Sequence, residues 1–590
     1  MDLSVKAIQE VIHPTAAFTY YDDSQVQPTT TSPTQVTWDN SLLNPKNRID
    51  SLDLPQCPLW RIDGCSSLGM QYYAIPLFLS TLPPMRMDVF IHENQPEELR
   101  QQLELNIAFH TKDGARLSNL AISKYIIRVL GRWVMTAFED LDAFEKFYRS
   151  VPFGTRLVLE KLSTRIQDVV VAVGRTHVLE HRLLSLPKLK EFWGSDFPFP
   201  NIIDLYELQV IRVLHDSVCL VRIGEELFIF KALMSGTKYL YHELKILCNL
   251  GSHPNVIGRP IHLVRKACNF GAKKAIVGFT TFYHCNGSLR DVLPQLRIHG
   301  KLSQAWQLTW AAQLTNALEH LRSTSGTYYP DLRLDNIVLS TSLDIVMVDF
   351  EQRGVWCEFA APEVNAIEYI RFIATDERAD EQDERADERL FPRDKQSGDD
   401  AHEKYWDMLR RLVPAVDVLE KNDDYVNAPQ GYNVPWIALD PTEQEAAEVY
   451  MLGRVLWCIF EGVSGPQKAA VWQSYPWESD LEFPDFRQTP DEMRPLIERC
   501  ARGRRQTLGS IIEREGSRLV LKGVPLSQQN PKDVQDAARR FWQTELQVAE
   551  EFLAMREVLK EQGNWPGNYY QRPTLREVLA ELLAYQSKTV

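Results

Sequence analysis

The chain has 590 residues, with 65 lysines and arginines against 79 aspartates and glutamates, which gives a formal net charge of −14 at pH 7. This length exceeds what one hydrophobic core accommodates, so we expect two or three domains. The negative charge argues against a general nucleic-acid binder and against a binder of anionic membranes, because both need a basic protein surface.

Nine cysteines are scattered between Cys57 and Cys500 without a C-x-x-C pair. This distribution favours a reducing compartment over a disulfide framework or a zinc site. The N-terminal sequence MDLSVKAIQEVIHP lacks the apolar core of a signal peptide, and no uncharged apolar run reaches the roughly 20 residues of a spanning helix. We therefore expect a protein of the cytoplasm, or alternatively of the nucleus, that spans no membrane.

Three segments precede the part of the chain that contains candidate functional residues. Residues 1–84 are expected to form a partly disordered head, because residues 22–38 are rich in Thr, Pro and Gln. Residues 85–185 alternate strand-like runs, among them LNIAFHT at 105–111, with helical runs, which predicts a small α+β domain of unknown function. Residues 186–204 carry Pro, Gly and aromatic residues without periodicity, which favours a linker or a docking strap.

A hairpin and an amphipathic helix follow this linker. Two alternating runs flank Gly224, which predicts a β-hairpin with Lys231 near the end of its second strand. In the next segment, TKYLYHELKILCNLG, the leucines recur at helical spacing. Their positions are Leu240, Leu244 and Leu247. Glu243 lies beside this stripe. Burying a carboxylate there is costly unless a positively charged group pairs with it.

Three polar residues follow near predicted strands. The stretch YYPDLRLDNIVL, residues 328–339, places Asp331 and Asn336 just ahead of a strand-like run, and the next run, DIVMVDF, ends at Asp349-Phe350. Residues 376–389, DERADEQDERADER, are interpreted as a solvated helix or a flexible insert. The later sequence AEVYMLGRVLWCIFEG is apolar almost all round and predicts a buried central helix.

Phosphate transfer from ATP requires the side-chain types that these segments supply. A cation must hold nucleotide phosphates, a carboxylate must hold that cation, oxygen ligands must carry Mg²⁺, and another carboxylate must orient the acceptor hydroxyl. Each residue alone has an ordinary alternative, such as a surface lysine at a strand end or a loop cap. The residues of interest, in chain order, are Lys231, Glu243, Asp331, Asn336 and Asp349. Five such residues in this order favour a functional explanation.

The chain resembles the eukaryotic protein kinase superfamily over roughly residues 205–585. The catalytic loop of that family reads H-R-D-L-K-x-x-N, and residues 329–336 read YPDLRLDN. The tripeptides Asp349-Phe350-Glu351 and Ala361-Pro362-Glu363 resemble the D-F-G and A-P-E motifs. The sequence also resembles divergent kinase-like proteins of filamentous fungi.

This resemblance implies a two-lobed fold, with a small β-rich N-lobe and a large helical C-lobe, preceded by the small α+β domain. Inserts would lie at about residues 366–435 and 505–565. Glu448 stands where the family's central helix usually has an aspartate. Arg572 resembles the late arginine that typically pairs with the A-P-E glutamate, here Glu363.

The resemblance also implies roles for the site residues. Lys231 would bind the α- and β-phosphates of ATP, with Glu243 as its ion-pair partner. Asp331 would be the catalytic base, and Arg333 keeps the positive charge of the family's catalytic-loop lysine. The Mg²⁺ ligands, which also belong to the ATP site, would be Asn336 and Asp349.

Four features depart from the family pattern. The nucleotide-covering segment, residues 210–218, contains no glycine, which puts a close backbone approach to phosphates in doubt. Glu351 replaces the glycine of D-F-G. Pro330 replaces an arginine that in many kinases holds a phosphate, and residues 352–360 contain no Ser, Thr or Tyr that could carry one.

Three functions agree with these patterns. The first is an ATP- and Mg²⁺-dependent protein kinase that phosphorylates Ser or Thr of protein substrates. The second is a pseudokinase, a nucleotide-binding or scaffold module, because the glycine-free segment would align phosphates poorly. The third is a small-molecule kinase, which the A-P-E motif and the late arginine make less favoured.

Overall fold

The structure is a computed structural model. It describes residues 5–19, 38, 44, 49, 52–66, 69–79, 83–85, 87–92, 95–108, 114–174, 177–233, 235–269, 272–382, 399–467, 480–515 and 518–589. In this part of the chain the fold is mixed α+β, as predicted, with sheets of five, six, two and two strands. The segment expected to lack structure, residues 22–38, lies outside the described residues except for Trp38.

A five-stranded sheet occupies the N-terminal part. It is preceded by helix α1, Val5–Val11, and by a 3₁₀ helix, Pro14–Phe18. The strands follow one another in chain order: β1, Trp60–Ser66; β2, Gln71–Pro76; β3, Met87–Ile91; β4, Arg156–Leu159; and β5, Val171–Gly174. Only β3 and β4 pair in parallel, so this pair needs a crossover connection.

Five helices form the crossover between β3 and β4. They are α2, Glu97–Gln102; α3, Leu105–Ala108; α4, Gly114–Asn119; α5, Ala121–Ala137; and α6, Leu141–Ser150. Aromatic rings join the last two helices, since Phe144 meets Trp133 and Phe138 edge to face. Helix α7, His177–Arg182, follows the sheet.

The structure corrects two expectations for this part. The sheet begins at Trp60 rather than near residue 85, because β1 and β2 come from the expected head. Every residue of β2 is buried, so this strand lacks the alternation that reveals a half-exposed strand. The run LNIAFHT was expected to be a strand, but Leu105–Ala108 forms helix α3, and residues 109–111 lie outside the described residues.

The expected linker at residues 186–204 also proves to be ordered structure. Helix α8, Leu186–Trp193, begins where the Ser185 side chain accepts a hydrogen bond from the N–H of Lys188, and it ends at Gly194, whose φ is +97°. Strand β6, Asn201–Asp204, then joins the second sheet. A serine N-cap, a proline in the first turn and a terminal glycine are helix signals that do not depend on periodicity.

The second sheet has six strands. They are β6; β7, Gln209–His215; β8, Val218–Ile223; β9, Glu226–Lys231; β10, His262–Ala267; and β11, Lys274–Phe282. Their order across the sheet is β6-β10-β11-β9-β8-β7. Helix α9, Thr237–Asn249, connects β9 to β10 and buries the predicted leucine stripe. The predicted hairpin at Gly224 is confirmed as β8–β9.

Helices dominate the rest of the chain. They are α10, Leu289–Ile298; α11, Gln304–Ser325; α12, Pro362–Gln382; α13, Asp399–Leu412; α14, Val416–Lys421; α15, Val434–Ile437; α16, Pro441–Glu461; α17, Arg494–Cys500; α18, Pro531–Glu561; and α19, Leu575–Thr589. Two small hairpins complete it: β12, Ile337–Leu339, with β13, Ile345–Met347; and β14, Ile512–Glu515, with β15, Arg518–Leu521. The central helix predicted from the sequence is α16, in which every residue from Ala446 to Glu461 is buried.

The described residues of the two expected inserts are mainly helical and pack on the rest of the chain, and the second insert also contains the β14–β15 hairpin. Helix α12 continues through the first half of the acidic repeat to Gln382, while residues 383–389 lie outside the described residues. In the later insert, the Trp542 indole of α18 donates to the carbonyl of Val11 in α1 at 2.8 Å. One hydrophobic cluster extends from Ala16 to Leu582 and includes both large sheets.

None of the described helices combines the length and the apolar character that a membrane crossing requires.

A buried ion pair links α12 to the C-terminal region. Arg572 contacts Glu363 through two nitrogens, and the two residues are 3% and 6% exposed, so the pairing suggested by the sequence is confirmed. Removing one member of such a pair leaves a buried charge without compensation, which typically costs about 3–5 kcal/mol. This pair therefore differs from the exposed pair of Arg499 and Glu581.

Arg572→Met is predicted to lower the free energy of unfolding by about 3–5 kcal/mol. The matched control, Arg499→Met, removes an exposed arginine and is expected to cost no more than about 1 kcal/mol. Urea unfolding monitored by tryptophan fluorescence measures both values. Equal losses in the two variants would contradict the structural role assigned to the buried pair.

Candidate functional site

Lys231 is the last residue of β9 and is held by its neighbours in the sheet. It lies opposite Val218 of β8 and Phe279 of β11. A side chain on Gly278 would bring its first carbon to 2.2 Å from the Lys231 carbonyl oxygen, so the close approach of β11 requires glycine there. The backbone of Lys231 is therefore fixed from both sides.

The Lys231 ammonium contacts three carboxylates. Its Nζ lies 2.7 Å from Glu243 Oε2, 2.7 Å from Asp349 Oδ1 and 3.0 Å from Glu351 Oε1. The contact with Asp349 is a hydrogen bond, and the contacts with Glu243 and Glu351 are ion pairs. The expected pair of Lys231 and Glu243 is confirmed, whereas the contact of Glu351 was not predicted from the sequence.

Burial and neighbouring charges shift the pKa values of these residues in opposite directions. Burial alone disfavours the charged lysine, but Asp349, Glu243 and Glu351 raise the pKa of Lys231 well above its usual value. For Glu243, burial is the largest effect and raises the pKa, although the ammonium opposes it. Burial also acts to raise the pKa of Asp349, yet Lys231 brings it below the usual value. The lysine thus stays charged while the acids share one cation.

Helix α9 is tied to the segment that carries Asp349. Glu243 Oε1 accepts a hydrogen bond of 2.8 Å from the backbone N–H of Phe350. Asp349 has a φ of +66°, a left-handed backbone that costs a non-glycine residue about 1–3 kcal/mol. The contact with Lys231 offsets this strain, since the left-handed residue presents its carboxylate to the ammonium.

Asp331 and Asn336 form the second half of the site. The Asn336 amide donates to the Asp331 carbonyl at 3.0 Å and to its carboxylate at 2.9 Å. Arg333 Nε lies 3.2 Å from the same carboxylate, and its guanidinium lies 4.9 Å from the Trp356 ring centre. Burial raises the pKa of Asp331 to about 6, with Arg333 opposing the shift. The loop therefore holds this carboxylate in one orientation.

The buried helix α16 anchors this loop. Glu448 accepts a hydrogen bond of 2.8 Å from the N–H of Tyr329 and one of 3.0 Å from Arg322. The Tyr329 ring meets Phe350 edge to face at 5.1 Å, and its hydroxyl donates to the carbonyl of Val348. Tyr329, Phe350 and Leu247, which the sequence suggested as stacked apolar residues, are all buried.

Helix α9 is also held from the side of the first insert. The His242 ring shares a hydrogen bond of 2.9 Å with the side chain of Gln352. Lys238 Nζ donates to the carbonyls of Leu419 and Asn422 at 2.7 and 2.8 Å. These residues carry no sequence motif, so their role could not be predicted. The position of Glu243 therefore depends on contacts within the chain, and none of these contacts involves a phosphate group.

The glycine-free segment forms a tight hairpin. His215 of β7 pairs with Val218 of β8 across a two-residue turn. The Ser217 carbonyl accepts a hydrogen bond of 2.9 Å from the N–H of Ala232, so the turn ends beside Lys231. This geometry leaves no extended glycine loop between β7 and β8, which agrees with the departure seen in the sequence.

The five-stranded sheet fixes this hairpin from outside. The Asp63 carboxylate accepts a hydrogen bond of 2.8 Å from the N–H of Val213. Arg61 donates to the carbonyl of Ile211 at 2.8 Å and also pairs with Asp63. Strands β1 and β7 are edge strands of their sheets, and side chains of one cover the backbone of the other.

Three carboxylates of the site have ligand oxygens of the type that divalent cations bind, although all three contact the Lys231 ammonium. The ligand oxygens of Glu243, Asp349 and Glu351 lie within 4.8 Å of one another. Carboxylate and amide oxygens are the ligands that Mg²⁺ prefers. Asn336, which the sequence assigned as a metal ligand, hydrogen-bonds to Asp331. Whether Asn336 and Asp349 hold Mg²⁺ stays a prediction.

No protein-family model matches the sequence. No curated protein sequence matches it either.

Substitutions at Lys231 and Glu351 test the shared cation. Lys231→Met is predicted to lower the free energy of unfolding by about 3–5 kcal/mol, because the buried carboxylates lose the cation that they share. Glu351→Gln should leave stability within about 0.5 kcal/mol or raise it, because Lys231 keeps two carboxylates and the site loses one negative charge. Urea unfolding without nucleotide or divalent metal gives both values. A larger loss for Glu351→Gln than for Lys231→Met would show that Glu351 is the essential partner.

Proposed function

We propose that the protein transfers the γ-phosphate of ATP, with Mg²⁺, to Ser or Thr hydroxyls of a protein substrate. The observation that carries this proposal is the Lys231 ammonium, which contacts both Glu243 and Asp349 at 2.7 Å. Phosphoryl transfer is mainly positioning and charge stabilisation, and it needs a fixed cation beside metal-binding carboxylates. Two residues more than 100 positions apart in the sequence meet on this lysine.

The architecture supports a two-lobed, kinase-like arrangement. The six-stranded sheet with α9 would form the small lobe, and the helices from α10 onward would form the large lobe. Lys231 and Glu243 belong to the first group, and Asp331 and Asp349 belong to the second. The candidate site therefore lies where the two groups meet.

Each side chain has a defined task in this proposal. Lys231 would bind nucleotide phosphates, and Glu243 would keep the lysine oriented through its contacts with both Nζ and the Phe350 N–H. Asp331 would orient the acceptor hydroxyl and take its proton, while Arg333 adds positive charge next to the transferred group. Bound Mg²⁺ would neutralise charge on the phosphates, and Asp349 with Asn336 would hold it.

Nucleotide binding has to compete with the acids around the lysine. Because three carboxylates already lie within ion-pair distance of the Lys231 ammonium, a phosphate oxygen would have to displace one of them. Glu351 is the candidate for displacement, since its contact is the longest and the family pattern has a glycine there. Asp349 would turn toward the metal at the same time.

Regulation through phosphorylation of residues 352–360 is excluded by their composition, which lacks Ser, Thr and Tyr. Contacts of α9 with Gln352 and with the first insert support a helix that is positioned without such a modification. The protein would therefore be active without an activating phosphate in this segment.

A pseudokinase remains the second candidate because of the β7–β8 hairpin. Its two-residue turn ends beside Lys231, so no backbone N–H groups of a glycine loop cover the phosphate position. Such a protein would bind nucleotide or a partner without transferring phosphate.

A transfer assay with three proteins separates the two candidates. With radiolabelled ATP, Mg²⁺ and a cell-extract substrate pool, the wild type should transfer phosphate, and Asp331→Asn should lower the rate by about 10²–10⁴-fold. Mg²⁺-ATP at 100 times its dissociation constant should stabilise both proteins by about 2.7 kcal/mol. Asp349→Asn should weaken both Mg²⁺-ATP binding and phosphate transfer, because a charged metal ligand becomes neutral.

The pseudokinase predicts a different pattern. Wild type and Asp331→Asn would then show the same background transfer, while Mg²⁺-ATP or partner binding persists. If millimolar Mg²⁺-ATP produces no thermal shift in the wild type, nucleotide binding itself is excluded and the kinase proposal fails.

A further inference from the structure

A cavity of about 40 Å³ lies in the helical part of the chain, among the peptide before and within α12, the buried helix α16, residues 505–507 and helix α18. It holds about three water-sized groups. None of the residues proposed for phosphate transfer lines it. The polar and aromatic lining residues used below are Glu358, Asn365, Tyr450, Arg454, Arg505 and Glu545.

Arg454 is the unusual member of this lining. It is 3% exposed, and no carboxylate among the described residues lies within ion-pair distance of its guanidinium. Its Nη1 makes a long contact of 3.4 Å with the Tyr450 hydroxyl, and its Nε has no hydrogen-bond partner in the described part of the chain. The guanidinium also lies 5.1 Å from the Phe483 ring centre, a cation–π contact that stabilises its charge in part. A buried guanidinium without an anion is costly, so a partner from outside the chain would be stabilising.

The acids that line the cavity do not supply that partner. Glu545 is already paired, because its carboxylate accepts hydrogen bonds of 2.6 to 3.1 Å from two nitrogens of Arg505. Glu358 accepts from the Trp356 indole at 3.2 Å, and burial raises its pKa to about 7, so it carries only part of its charge near neutral pH. Glu358 attracts the Arg454 charge from beyond ion-pair distance, and Arg454 therefore lacks a direct carboxylate partner among the described residues.

A second unsatisfied atom lines the same space. The Asn365 amide donates to the Cys357 carbonyl at 2.9 Å, but its Oδ1 is buried without a donor among the described residues. Because Oδ1 accepts hydrogen bonds and an ionised carboxylate donates none, a water molecule in the cavity is the partner that suits this atom. The apolar part of the wall is formed by Ala360, Pro362, Ala366, Val548, Ala549 and Phe552, and the polar residues Tyr369, Gln506, Thr507 and Tyr570 also line the cavity.

We propose that this cavity is a binding site for a small monocarboxylate, whose oxygens pair with the Arg454 guanidinium and whose short carbon chain lies against the apolar wall. A planar carboxylate matches the N–H groups of a guanidinium, and an acetate-sized ion matches the available space. The proposal does not depend on phosphate transfer at Lys231.

Acetate is the probe, and acetamide is its neutral control of the same shape. Ligand-observed NMR at constant ionic strength should give saturable acetate binding to the wild type, with a dissociation constant on the order of 1 mM. Acetamide should not bind. Arg454→Met should weaken acetate binding at least tenfold, while Arg499→Met, which removes an exposed arginine, should leave it unchanged.

A second variant keeps the test decisive if Arg454→Met does not fold. Ala549→Leu fills the cavity from α18 and leaves Arg454 in place, so it should also weaken acetate binding at least tenfold. The proposal is overturned if the wild type shows no saturable binding of acetate, or if a folded Arg454→Met or Ala549→Leu protein binds acetate as tightly as the wild type.

Discussion

The ammonium of Lys231 is the interaction on which the candidate site depends. It is buried at the end of β9 and shared by Glu243, Asp349 and Glu351. Without this cation, three carboxylates would lie within a few ångströms of one another, and Asp349 would lose the contact that offsets its left-handed backbone. The same contact joins a strand, a helix and a loop that are far apart in the sequence.

Other parts of the chain hold the elements around this lysine. The first insert fixes α9 through Lys238, the buried helix α16 fixes the Asp331 loop through Glu448, and the five-stranded sheet fixes the β7–β8 hairpin through Asp63. These contacts fix the lysine, the acids and the hairpin with respect to one another. The site is therefore ordered before any ligand binds, which would reduce the entropy cost of nucleotide binding.

The sequence predicted those features that rest on local patterns. The hairpin before Lys231, the helix that carries Glu243 and the buried helix α16 all follow from periodicity, and the pairing of Arg572 with Glu363 followed from family resemblance. Strand β2 was missed because it is buried on both faces, and α8 was missed because its signals are caps rather than a stripe. The contact of Glu351 with Lys231 could not be predicted, because it depends on tertiary geometry.

A crystal structure with Mg²⁺ and a non-hydrolysable ATP analogue tests the central claim most directly. We expect Lys231 Nζ to keep its contact with Glu243 and to exchange its contact with Glu351 for one with a phosphate oxygen. Oxygens of Asp349 and Asn336 should lie about 2.1 Å from the metal. If the analogue binds elsewhere, or if all three carboxylates still surround Lys231 while nucleotide is bound, the lysine does not serve as the phosphate-binding cation.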